Sequence, residues 1–129
     1  MYHVEITNNQ GYSFTVKSAD YEFSVDAKGK GFTPPDTLLA SLGSCIGVYI
    51  RKYFEGAKLD LGEFKVTLEA ELTKEPPICL REIRVNIDLK GANIEERRKK
   101  PLLDFIRNCP VHTTLKINPR VDINLVQEE

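Results

Sequence analysis

The chain has no tryptophan, one methionine, two histidines and three cysteines in 129 residues. It also has no excess of either charge, with 18 basic against 19 acidic side chains. Nucleic-acid binding needs a one-sided surplus of Lys and Arg, and none is present. The one basic cluster, Arg97-Arg98-Lys99-Lys100, follows Glu95-Glu96 and reads as a solvated helix face. No apolar run approaches the ~20 residues a membrane span requires. The longest, over 38–50, is broken by Ser41, Gly43, Ser44 and Gly47. The first residues carry no charged segment followed by an apolar one, so the expectation is a protein without a signal peptide, working in the cytosol. Thiols are held reduced there, and three cysteines make a poor disulfide framework. They are core residues, metal ligands or redox groups.

What is present reads as one α+β domain over 1–129, in the order βββ-α-ββ-α-β. Three short alternating runs open the chain, Tyr2–Thr7, Tyr12–Val16 and Tyr21–Val25, with Asn8-Asn9-Gln10-Gly11 as turn chemistry between the first two. Thr33-Pro34-Pro35-Asp36 is a helix start: Thr33 caps, Pro34 sits where a missing N–H costs nothing, and Asp36 completes a capping-box-like pattern. The helix that follows carries Leu38, Leu42, Cys45, Tyr49 and Tyr53 on one stripe, flanked by Leu39, Ile46 and Ile50, with small residues on the other faces, and Gly56 is a plausible C-cap. A helix of that kind is packed closely all round. Residues 64–72 and 83–89 alternate as strands with one apolar face, which argues an antiparallel sheet covered on one side. A second helix is expected from a cap at Asn93 and Glu96, kinked or restarted at Pro101, with its stripe resuming as Leu102, Ile106 and Cys109. Residues 121–126 alternate as a last strand.

Each of the two helices thus places one cysteine, Cys45 or Cys109, on its core-facing side, where the thiols could meet. Taken singly, each also reads as a small buried hydrophobe. Cys79 follows Pro76-Pro77 in a loop and reads as incidental. His112 lies three residues after Cys109, a spacing two metal ligands could use, but zinc needs three or four and only Cys45, Cys79 and His3 could join it. A histidine there is better read as bonding the backbone or tuning the Cys109 thiol. No metal or cofactor is expected.

The run Pro34-Pro35-Asp36-Thr37-Leu38-Leu39-Ala40-Ser41-Leu42-Gly43-Ser44-Cys45 resembles the helix entry of the OsmC/Ohr family, and Cys109-Pro110-Val111-His112-Thr113-Thr114-Leu115 resembles that family's second motif. The resemblance spans essentially the whole chain. It implies an OsmC-like fold, an antiparallel sheet packed on a long central helix, in an intertwined homodimer. It also implies a thiol peroxidase: Cys45 attacks an organic hydroperoxide or hydrogen peroxide, Cys109 closes a disulfide on it, and an external dithiol reduces the pair. Enzymes of the family use an Arg from the N-terminal strands, held by a Glu directly after the helix-starting Pro. Here no Arg precedes Arg51, and Pro35 stands in place of the Glu. Lys17 and Asp36 are the candidate replacements, although Asp36 also reads as the capping partner of Thr33. The alternative is a non-catalytic binding protein on the same scaffold, taking an apolar or electrophilic ligand beside Cys45.

Overall fold

The computed structural model describes residues 1–126. The order of elements is β1 (Glu5–Asn8), β2 (Ser13–Ser18), β3 (Tyr21–Asp26), α1 (Pro34–Gly56), β4 (Lys65–Leu72), β5 (Leu80–Asp88), α2 (Glu96–Ile106) and α3 (Pro110–Ile117). This is the expected α+β class. The strands, however, form two sheets, β1-β2-β3 and β4-β5, where a single sheet was expected. The chain divides into two compact units, Met1–Gly43 with Thr67–Val85, and Ser44–Val66 with the residues from Asn86 on.

In the first unit, β1, β2 and β3 make an antiparallel meander, with Ile6 opposite Val16 and Val16 opposite Phe23. The turn chemistry is where the sequence placed it. Gly11 takes φ +64°, which a side chain resists. The Asn8 amide donates to the carbonyls of Gly11 (3.1 Å) and Ser13 (2.9 Å), closing the first hairpin. Thr33 and Asp36 form a reciprocal capping box: the Thr33 N–H donates to the Asp36 carboxylate (3.0 Å) and the Asp36 N–H to Thr33 Oγ1 (3.3 Å). Further along α1, Gly43 is buried so closely against β4 that a Cβ there would stand 2.6 Å from Leu68 Cδ1. In the β4–β5 connection, Thr73 Oγ1 accepts from the Cys79 N–H (3.1 Å) and donates to the Pro77 carbonyl (2.9 Å).

In the second unit, α1 buries Ile46, Ile50 and Phe54, and α2 buries Leu102 and Ile106. With Leu42, the buried row of α1 runs at strict i, i+4 spacing, so it takes Leu42 from the expected stripe together with the flanking Ile46 and Ile50. Cys45, Tyr49 and Tyr53 are half-buried beside it, and Leu38 and Val48 are exposed. The all-round packing expected of α1 is therefore not supplied within one chain.

The second helix departs from expectation in three ways. Its N-cap is Glu95 and makes no side-chain cap bond, because its carboxylate is engaged by Arg97 (2.7 Å). It runs unbroken through Pro101. It ends before Cys109, and a separate helix, α3, begins at Pro110. Pro110 has no N–H to continue the α2 ladder and biases Cys109 to extended backbone, φ −64° and ψ 142°, so the chain must stop one helix and start another there. The last expected strand is absent: residues 121–126 form no ladder, and Val121, Ile123 and Leu125 are exposed. An alternating pattern makes a strand only when a neighbouring edge accepts its backbone, and none does so among the described residues.

Candidate dithiol site

Cys45 lies mid-way along α1 and Cys109 at the N-cap of α3, both in the second unit. They are held together through aromatic rings one turn away. Tyr49, four residues after Cys45, has its ring centroid 5.3 Å from that of Phe105, which is four residues before Cys109. Tyr53 packs on the same Phe105 ring at 5.9 Å. Moving back one turn along α1 while moving forward one turn from Phe105 leads from the aromatic contact to the two thiols. The chain runs antiparallel through this stretch, and Cys109 and Cys45 come within side-chain hydrogen-bonding reach.

The two thiols differ in surroundings. Cys109 is completely buried, whereas Cys45 is half-exposed. Burial pushes the Cys109 thiol above its ordinary pKa. The nearby His112 N–H pulls the other way, and the neighbouring Cys45 raises it again, by hydrogen bond and by charge. The Val111 N–H also pulls it down. On balance the Cys109 thiol is raised, and as the N-cap of α3 it makes no side-chain cap hydrogen bond.

The remaining candidates occupy other positions. The His112 ring bonds the Arg107 carbonyl through Nδ1 (2.9 Å), across the α2–α3 break. Asp36 is taken up by Thr33, whose N–H and hydroxyl (2.8 Å) hold its carboxyl below the usual range. Lys17 sits in register opposite Glu5 on one side and Glu22 on the other. Both Asp36 and Lys17 belong to the first unit. Cys79 is exposed in the β4–β5 connection. Among the described residues, no three His, Cys, Asp or Glu side chains gather as metal ligands would.

Sequence reasoning missed Phe105. It could have been found from its spacing, one turn before Cys109 as Tyr49 is one turn after Cys45. Arg51 was passed over as well. Its guanidinium donates to the carbonyls of Leu61 (2.7 Å) and Gly62 (2.9 Å) and lies 5.2 Å from the Phe64 ring centre, so it fastens the segment after α1.

Two thiols paired across helices in an α+β chain define a candidate dithiol redox protein. The chain belongs to the OsmC-like protein family, whose sequence model matches residues 27–124. Among solved structures it is similar to an OsmC-like protein from Mycoplasma pneumoniae, with 23% identity, 90% of this chain and 87% of that one covered, and a TM-score of 0.81. It is also similar to an organic hydroperoxide resistance protein OsmC from Legionella pneumophila (16% identity, 90% and 89% covered, TM-score 0.70). An organic hydroperoxide resistance protein from Elizabethkingia anophelis is a third (22% identity, 88% and 89% covered, TM-score 0.59). At these identities the likeness is one of fold. No curated protein matches. No helix among the described residues is long and apolar enough to cross a membrane.

Proposed function

We propose that the protein is a thiol peroxidase that reduces organic hydroperoxides or hydrogen peroxide through a Cys45–Cys109 disulfide, in defence against oxidative stress. The observation that carries this reading is the pairing of a half-exposed thiol with a fully buried one within hydrogen-bonding reach. Membership of the OsmC-like family, and neighbours named for organic hydroperoxide resistance, support the same theme. Cys45 is the sulfur a peroxide can reach. As thiolate it takes the distal oxygen and becomes a sulfenic acid, and Cys109 condenses with it. An external dithiol then restores both thiols, which requires a reducing compartment such as the cytosol.

A second copy of the chain is the natural cover for the apolar surface that one chain leaves open, including Leu38 and Val48 on α1 and Ile6 and Phe23 on the meander. The working form in this reading is a homodimer. A monomer by light scattering at micromolar concentration removes that part of the proposal.

The test of the chemistry is intact-mass measurement after one equivalent of cumene hydroperoxide. The expected result is loss of two hydrogens, with the disulfide mapped to Cys45 and Cys109. An unchanged mass, with no peroxide consumed under any dithiol reductant, rejects the enzyme and favours a binding protein. The engagement of Asp36 by Thr33 is the observation on that side, since it leaves Asp36 already committed.

A further inference from the structure

We infer that Phe105 is a positioning residue for disulfide closure: its ring, packed on Tyr49 and Tyr53 of α1, fixes where Cys109 stands relative to Cys45. The inference rests on the peroxidase reading and concerns its second step alone. There the Cys109 sulfur attacks the Cys45 sulfenic sulfur, so that an S–S bond forms and the S–O bond breaks. The hydroxyl leaves with the Cys109 proton as water, Cys109 is oxidised, and the sulfenic sulfur is reduced to the disulfide level. The bond needs the two Cβ atoms about 3.5–4.5 Å apart. A half-exposed and a completely buried thiol on separate elements meet that tolerance only if the elements are held against each other.

The ring and the thiol are joined by a short, bonded path. Phe105 lies in the last turn of α2, and the chain beyond it folds back onto the carbonyls of that turn. The Asn108 N–H donates to the Phe105 carbonyl and the Cys109 N–H to the Ile106 carbonyl, both at 3.1 Å. On the far side the Thr113 N–H donates to the Cys109 carbonyl (2.9 Å), and the His112 ring bonds the Arg107 carbonyl (2.9 Å) across the break. Cys109 therefore sits in a corner with backbone bonds on both sides. A shift of the end of α2 is passed on to its sulfur.

The grip of that corner on α1 is aromatic. Phe105 meets Tyr49 at 5.3 Å and Tyr53 at 5.9 Å between ring centroids, both tilted, in the range where aromatic pairs attract. Tyr49 stands one turn beyond Cys45 on the same helix, so the contact lies beside the reacting pair. Phe105 is itself half-buried, while Leu102 and Ile106 carry the apolar burial of α2. The ring is thus not what anchors α2 in the core; what it adds is the setting of the α2 end against the Cys45 helix. Cys45 needs no such help, since α1 is continuous and is anchored by Ile46, Ile50 and Phe54.

The test follows the two steps separately in the wild type, Phe105→Ala, Phe105→Leu and Phe105→Tyr after one equivalent of cumene hydroperoxide. The Cys45 sulfenic acid is trapped with dimedone in timed quenches, and closure is read as disulfide by intact mass. A misplacement of about 1 Å can cost about 10²-fold, so closure should slow at least about tenfold in Phe105→Ala and Phe105→Leu. The sulfenic acid should form at the wild-type rate constant in both variants, and accumulate. Phe105→Tyr, which keeps the ring, should close at the wild-type rate. A misfolded fraction lowers amplitudes and leaves these rate constants alone, so a merely structural role does not mimic the result. Closure at the wild-type rate in Phe105→Ala, equal slowing of both steps, or no rescue by Phe105→Tyr overturns the inference while the peroxidase reading stands. A wild-type protein inert to every peroxide overturns both.

Discussion

Among the described residues, the strand-rich unit buries Val25 and Leu42, whereas the helical unit buries Ile46, Ile50, Phe54, Leu102, Ile106 and Cys109. The meander instead leaves Ile6, Tyr21 and Phe23 open, at 59%, 80% and 47% exposure. Both regions take up most of the elements their periodicity predicts, residues 121–126 excepted. They differ in what periodicity can achieve in a single chain. A helix pair satisfies its own backbone and closes apolar faces on each other, while a three-stranded sheet needs a cover for its face. The thiols reside in the region that closes on itself, so one of them can be completely dry.

Cysteine substitutions test this division most severely. Cys45→Ser is expected to abolish peroxide consumption, and Cys79→Ser, in an exposed loop, to leave it unchanged. A coupled assay with dithiothreitol as reductant checks both, and equal losses would remove the distinction between the two regions. In the core, Phe54→Ala should cost about 3–5 kcal/mol by urea unfolding, because Phe54 is 1% exposed. Phe23→Ala should cost only about 1–1.5 kcal/mol in an isolated chain. A Phe23→Ala penalty that grows with protein concentration would show that a second copy covers the meander.

Two glycines of α1 offer a finer comparison. A Cβ at Gly47 meets Phe64 at an ordinary 3.7 Å, so Gly47→Ala should stabilise by about 0.5–1 kcal/mol. At Gly43 the clash with Leu68 brings an overpacking cost of about 1–3 kcal/mol, which meets or exceeds the same helix gain. The thermal midpoint of Gly47→Ala should therefore lie above that of the wild type, and that of Gly43→Ala at or below it. The smallest effect is expected at Asp36. Its folded pKa is lowered, first by the Thr33 N–H and then by the Thr33 hydroxyl. Its stabilisation is present above the unfolded carboxylate value of ~3.9 and is lost as pH falls through the lowered folded value. Asp36→Ala should lower the melting temperature at pH 7, and the gap from wild type should close in acid.

Much of this was legible in the residues, and the failures have a common cause. The capping box, the Asn8–Gly11 turn and the buried positions Leu102, Ile106 and Cys109 all follow from local spacing. What misled were features decided by partners the local pattern does not name. Residues 121–126 alternate as a strand does, but no edge among the described residues takes them up. The expected α1 stripe ran Leu38, Leu42, Cys45, Tyr49 and Tyr53, while packing buried Leu42 with the flanking Ile46 and Ile50 and with Phe54. Both faces are apolar, and only the neighbours decide between them. At the site, the two cysteines could be read from helix position. The difference in their burial could not, since it depends on where α2 stops, and Pro110 rather than Pro101 stops it.

Arg51 has a consequence for the segment that follows the Cys45 helix. A planar guanidinium presents several donors in a fixed fork, and here one side chain holds the Leu61 carbonyl, the Gly62 carbonyl and the face of the Phe64 ring. A lysine has no such plane, so the fastening depends on the shape of the side chain as much as on its charge.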